Sequence, residues 1–294
     1  MKTIKLFGIL ILAFLFCRVD LHAQWSSDIQ QDQQILHSLF NQVKADEGAS
    51  IGVLMRQCAL FFLNTPYVDH TLEVAGAEER FVINLRELDC MTFMETCVAL
   101  CYTIETNTLS FEAYCKYLER IRYRVGVING YTSRLHYMTD WIADNRAKGM
   151  VDDITKSIGG EPFKVQLSYM SSHSDAYVHL KGQPERTARI RQIEDLINKR
   201  GGYYYIPKQE IPSIAELIQN GDVICFTTSI EGMDVSHVGI AYWRGDELTF
   251  IHASSTAQKV IVEPVSLFEY CQRISSNTGI MVLRCKELSP AVTL

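Results

Sequence analysis

The chain has 294 residues, 47% of them hydrophobic, and a formal charge of −6. That is enough for one large domain with its own core or two small ones. An acidic balance with no basic stripe excludes nucleic-acid binding, which depends on neutralising phosphates. No apolar run is long enough for a stable membrane span, which needs about 20 residues.

The chain begins Met1-Lys2-Thr3-Ile4-Lys5, runs apolar from Leu6 to Cys17, and reaches Ala23-Gln24. A basic start, a short apolar stretch and a small residue before a polar segment describe a secretory signal peptide over residues 1–23. Cys17 would be the alternative as a lipid-anchor site, but Phe16 stands where a small residue is expected. Removing Lys2, Lys5, Arg18 and Asp20 takes away a net +2, so the exported form carries −8. Without Cys17, eight of the nine cysteines remain, and their pairing is not readable from spacing.

Residues 24–294 read as a single α+β domain, helical over about 26–215 and β-rich over about 219–286. Ile35, Leu36, Leu39, Phe40 and Val43 recur at helical spacing between Ser26 and Ala49. A second helix is expected over Ile51–Leu63, ending before Asn64-Thr65-Pro66 because the residue before proline avoids helical geometry. Phe81–Leu85 is a short β-like run. It leads into Leu88-Asp89-Cys90, where Asp89 is a good N-cap and Phe93, Met94, Cys97, Val98 and Cys101 form one apolar face. Further helices are expected over Phe111–Arg124, Tyr137–Lys148 and Arg186–Lys199. Past Gln219 the texture changes to five strands, Asp222–Thr228, Val235–Trp243, Glu247–Ala253, Lys259–Val262 and Ile280–Cys285. Turn signals at Gly221-Asp222, Glu231-Gly232 and Gly245-Asp246 separate the first of these.

Cys90 falls in the first turn of its helix, where the helix dipole favours an anion and eases ionisation of a thiol. Most cysteines are small buried hydrophobes, and Cys97 and Cys101 suit that role on the same helix. A cysteine nucleophile needs a base close in space. His237 lies in a strand with Gly239 two residues on, a position that leaves room for close approach. The next strand carries His252, and the short Arg244-Gly245-Asp246 turn implies antiparallel pairing. A second imidazole could then orient the first as the third member of a triad.

The order Leu88-Asp89-Cys90-Met91-Thr92-Phe93, Gly221-Asp222-Val223, Ser236-His237-Val238-Gly239-Ile240 and Ile251-His252-Ala253 resembles the NlpC-type papain-fold hydrolases of bacterial cell walls. Asn64-Thr65-Pro66-Tyr67-Val68 matches the segment preceding the nucleophile there, and Val68-Asp69-His70 departs from the aromatic and glycines usual after the tyrosine. With Thr71-Leu72-Glu73 and the run from Arg122-Tyr123-Arg124 to Asp140-Trp141, the pattern is closest to N-acetylmuramoyl-L-alanine amidase-like members once catalogued as a domain of unknown function.

The resemblance implies a helical lobe with the nucleophile at a helix N-terminus, packed on an antiparallel β lobe. It implies a cofactor-free, periplasmic amidase that cuts between 1,6-anhydro-N-acetylmuramic acid and L-alanine of peptidoglycan fragments, in wall turnover or recycling. Cys90 would be the nucleophile, His237 the base and acid, His252 its orienting partner, and Tyr67 a support for the oxyanion. Arg122, Arg124, Tyr131, Arg134 and Trp141 are candidates for binding the muropeptide, with Tyr169 and His173 beside them. Solvated arginine pairs with Glu119 or Asp140 are the competing reading of that cluster. Two alternatives stay open: a γ-D-glutamyl-diamino acid endopeptidase of the same fold, and a non-catalytic peptidoglycan-binding relative.

Overall fold

The computed structural model describes residues 29–43, 49–73 and 78–288; the expected signal peptide and Cys17 lie outside them. The chain opens with α1 (Ile29–Gln42) and α2 (Ile51–Phe61). On α2, Ile51, Leu54, Met55, Cys58 and Ala59 are buried, the i, i+3, i+4, i+7, i+8 stripe of a helix lying on a core. The central element is α3 (Cys90–Glu105), buried continuously from Thr92 to Ile104. A helix covered on all sides belongs in the middle of a domain, and α3 packs against α2, α4 (Phe111–Arg122) and the sheet. Then come α5 (Met138–Ala147), the short strands β1 (Val151–Asp153) and β2 (Glu161–Phe163), α6 (Tyr169–Ser172) and α7 (Pro184–Arg200). The remainder is β3 (Tyr203–Pro207), α8 (Ile211–Ile214), β4 (Val223–Thr228), β5 (Val235–Arg244), β6 (Glu247–Ser254), β7 (Lys259–Val262), α9 (Leu267–Arg273) and β8 (Asn277–Cys285).

The strands form one antiparallel sheet in the order β2-β3-β8-β4-β5-β6-β7, with β1 also on β8. Side chains alternate between its two faces. Cys225, Val238, Ile240 and Ile251 point into the core shared with α2 and α3, while Phe226, Ala241 and Phe250 meet α8 and α9 on the other side. A third apolar cluster, including Tyr131, Tyr137, Met170 and Ile190, holds α6 and α7 over one end of the molecule.

Two expectations are corrected. Phe81–Leu85 forms no strand ladder: Phe81 makes an isolated β-bridge, Leu85 lies in a bend, and two backbone groups are taken by side chains, Leu85 N–H donating to Asp32 at 3.0 Å and Val82 C=O accepting from Arg122 at 2.7 Å. The helical and β parts are not divided near residue 219, since β1 and β3 cross that boundary to pair with β8 (Val151↔Cys285, Ile206↔Ile280). Strands of three to five residues carry too little alternation to announce themselves, and here their partner lies far along the chain. Among the described residues no helix is long and apolar enough to cross a membrane.

Candidate active site

Asp89 caps α3 through a reciprocal box. Its Oδ1 accepts from Thr92 N–H at 2.7 Å, and Thr92 Oγ1 accepts from Asp89 N–H at 2.9 Å. The turn ahead of the cap is pinned to Pro66 and Tyr67: Leu88 N–H donates to Pro66 C=O at 3.0 Å and Tyr67 bridges Leu88. Tyr67 N–H in turn donates to Gln258 C=O at 3.0 Å, so the segment before α3 is locked to the β6–β7 connection. This brings the tyrosine beside the start of the helix. Burial, then the thiol of Cys90 and the carboxylates of Asp89 and Asp69, push the Tyr67 phenol up to about 12, so it keeps its proton for donation.

All eight described cysteines are free, and seven are buried; Cys90 is half-buried. Cys97 and Cys101 are core, as their spacing implies. The environment of the Cys90 thiol differs from the expectation of an easily ionised group. Burial and the neighbouring Asp89 carboxylate raise it to about 12, against the pull of the backbone N–H groups of Val238, Met91 and Cys90 itself. The same N-cap carboxylate that stabilises the helix offsets its dipole at the sulfur.

The contact with Val238 places the thiol beside His237, the preceding residue of β5. Cys90 and His237 line one cavity. The His237 ring lies against Phe226 with centroids 5.8 Å apart, and its Nε2 is 2.7 Å from His252 Nδ1. Burial and the facing His252 push His237 down to about 3, so the free site pairs a neutral thiol with a neutral imidazole. The β5–β6 ladder runs from Arg244↔Glu247 to Ile240↔Ile251 and stops short of His237, leaving the two imidazoles to meet diagonally. Gly239 makes this meeting feasible. A Cβ there would lie 2.5 Å from Phe250 Cδ2 and 3.3 Å from His252 Cβ.

The rest of the cavity wall includes Glu73, Tyr131, His136, Tyr137, Tyr169, Tyr177 and the Met233–Val238 stretch, with Met91, Met138 and Met170 as its apolar part. A second groove opens beyond His237, lined by His252, Ser254, Thr256, Tyr270 and Asn277, so the cleft extends on both sides of that histidine. Of the residues proposed from sequence for substrate, Tyr131 and Tyr169 line the cavity. Arg134 stands behind Tyr131, its guanidinium 5.0 Å from the ring and 2.6 Å from Glu73 Oε1. His179 stacks on the same tyrosine with centroids 4.8 Å apart. His173 is exposed and stacks on Tyr169 without joining the cavity wall.

Arg122, Trp141 and Arg124 are corrections. Arg122 is 2% exposed, its Nε donating to Glu95 Oε2 at 2.6 Å, and Trp141 Nε1 donates to Glu95 Oε1 at 3.3 Å. They face the core because Glu95, one turn beyond the nucleophile, draws both inward. Arg124 pairs with Asp140 at 2.6 Å, which also binds Arg200 at 3.0 Å, cross-linking α5 with the segments after α4 and at the end of α7. Sequence reading missed Tyr177, Met233 and Asp234 in the wall, which no spacing rule singles out. It also missed Glu263, whose Oε2 is 3.2 Å from His252 Nε2.

The N-acetylmuramoyl-L-alanine amidase-like (AmiA-like) family model matches residues 57–280. The fold is similar to that of an N-acetylmuramoyl-L-alanine amidase from Bacteroides uniformis, with 39% identity and a TM-score of 0.76, over 81% of this chain and 100% of that one. It is also similar to a Bacteroides fragilis protein provisionally described as a xylanase, at 40% identity and a TM-score of 0.73, over 77% and 98% of the two chains. A Legionella pneumophila protein at 22% identity and a TM-score of 0.67, over 87% and 95%, shares the fold. Comparison with curated proteins finds no match. With a helical lobe and an antiparallel sheet arranged in the papain-like, NlpC-type manner, the chain belongs to the N-acetylmuramoyl-L-alanine amidase-like family.

Proposed function

We propose that the protein hydrolyses the amide between N-acetylmuramic acid and L-alanine of peptidoglycan fragments by a thiol mechanism, with 1,6-anhydro muropeptides as substrates. The observation that carries this reading is the convergence of Cys90, at a capped helix start, and His237, bonded to His252, on one cavity. His237 takes the thiol proton as Cys90 attacks the lactyl carbonyl, so the ion pair forms during attack rather than beforehand. The backbone N–H of Cys90 and the protonated phenol of Tyr67 are the donors available to the oxyanion. His237 then gives the proton to the departing L-alanine amine, and water, activated by the same imidazole, frees the acyl group. Tyr169, partly exposed at the cavity wall, is the aromatic available to the sugar, while Tyr131 is buried between Arg134 and His179 and backs that wall.

The preference for the anhydro sugar rests on the resemblance of the middle run, Arg122 to Trp141. Export to the periplasm rests on the pattern of residues 1–23, and a role in wall turnover or recycling on the family resemblance. A glycosidase reading has less support. The carboxylates at the cavity, Asp234 and Glu73, are engaged: Asp234 accepts from Thr139 N–H at 2.7 Å and Oγ1 at 2.8 Å, and Glu73 holds Arg134.

Digestion of a defined anhydro-muropeptide, followed by mass spectrometry, tests the proposal. Intact free stem peptide is the expected product, and Cys90→Ala should abolish it. Release of a dipeptide fragment would point to the γ-D-glutamyl endopeptidase instead. Turnover that survives Cys90→Ala would overturn the thiol mechanism, and no turnover by the wild-type protein would favour a binding role.

A further inference from the structure

The residue that follows β7, Glu263, turns its carboxylate toward the far side of His252. Its Oε2 lies 3.2 Å from His252 Nε2, and Val265 N–H donates to its Oε1 at 3.4 Å. The backbone there is fixed by β6: Glu263 N–H donates to Phe250 C=O at 2.9 Å, and Thr249 Oγ1 donates to Glu263 C=O at 2.8 Å. Both partners are buried, His252 at 2% exposure and Glu263 at 8%.

A carboxylate only accepts hydrogen bonds, so the His252 nitrogen facing it carries the proton. The other nitrogen of a neutral imidazole is then an acceptor. That nitrogen, Nδ1, is 2.7 Å from His237 Nε2, which must therefore be the donor. His237 is left with an unprotonated Nδ1, the one ring nitrogen not engaged by His252. We propose that Glu263 is a positioning residue that sets the tautomers of both imidazoles, so that His237 meets the thiol of Cys90 as a base. When Nδ1 takes the thiol proton, Nε2–H still donates to His252. The proton stays on His237 until it passes to the leaving amine, and the Glu263 carboxylate faces the positive charge through one intervening ring. The catalytic consequence rests on the proposed thiol mechanism; the tautomer assignment rests on the hydrogen bonds alone.

The test is ring-nitrogen NMR on the full chain carrying ¹⁵N-labelled histidine, with His237 and His252 assigned by single replacement, alongside muropeptide kinetics. In the wild-type protein both rings should be protonated at Nε2. Glu263→Leu should return His252 to a mixture of tautomers and lower kcat about 10- to 100-fold, the scale seen when an outer partner of a functional histidine is removed, with KM little changed. Glu263→Gln has an amide that either accepts or donates. If it accepts, tautomers and rate survive together; if it donates, they are lost together. A wild-type His252 protonated at Nδ1 overturns the proposal, as does a rate that falls in either variant while both tautomers stay as in wild type. Should Glu263→Leu fail to fold, the wild-type spectrum and the glutamine variant still decide. The spectra need no substrate, so an enzyme inert toward muropeptides would count against the proposed reaction and leave the tautomer assignment standing.

Discussion

Replacing Glu95 by leucine should destabilise the protein by about 3–5 kcal/mol, the usual consequence of stripping the partner from a buried charge. Arg122 is 2% exposed and donates to Glu95 at 2.6 Å, with Val82 C=O as its other acceptor at 2.7 Å. Leucine leaves that guanidinium with one neutral acceptor in a site that water does not reach. The Trp141 indole N–H, 3.3 Å from Glu95 Oε1, loses its acceptor as well, adding about 1 kcal/mol. Against a total stability of about 5–15 kcal/mol this is a large fraction. With a urea m-value of about 3 kcal/mol/M, the unfolding midpoint followed by circular dichroism should fall by more than about 1 M. Adding Arg122→Met should restore much of the loss, because the orphaned charge goes with it. KM for the muropeptide should change little in whichever of these proteins stays folded, since neither side chain lines the cavity. A double variant no more stable than Glu95→Leu, or a KM that rises steeply, would refute the assignment of Arg122 to the core.

Gly239→Ala should cost about 1–3 kcal/mol by overpacking, since the new Cβ would lie 2.5 Å from the buried Phe250 ring and 3.0 Å from Ile251 C=O. It also presses on His252, so kcat/KM should fall further than stability does; undiminished turnover would show that the imidazole pair tolerates displacement. His237 makes the fold acid-sensitive. Its folded value of about 3 lies below the ordinary histidine range, so between about pH 6.5 and 3 the unfolded chain binds a proton that the folded chain refuses. Stability contributed in this way is present above that window and lost as pH falls through it, by at most about 3 kcal/mol at pH 4. Urea titrations at pH 7 and pH 4 should show a smaller drop for His237→Gln than for wild type, and equal drops would rule the linkage out.

Much of the site was legible as separate pieces. Asp89 followed by an apolar helical face marks α3 and puts Cys90 in its first turn, because N-cap chemistry is local. The short β-rich runs from Val223 to Cys285, broken by turn residues, mark β4 to β8, because strand composition and turn chemistry are local. What did not follow was the choice among arginines. Arg122, Arg124 and Arg134 look alike in the chain, yet one is buried against Glu95, one cross-links through Asp140 and one braces a cavity tyrosine.

The sequence by itself therefore determined the α+β class, the capped helix start with Cys90 in its first turn, and the two strand histidines, all of which depend on neighbours a few residues away. Only the tertiary structure decided what each of these meets. The Cys90 thiol is surrounded by burial and a carboxylate that raise it, not by a dipole that simply lowers it. His237 meets His252 on a diagonal that Gly239 leaves open, and His252 meets Glu263 from beyond the end of β7. Desolvation, register and hydrogen-bond direction are properties of surfaces brought together from distant parts of the chain, which no local pattern records.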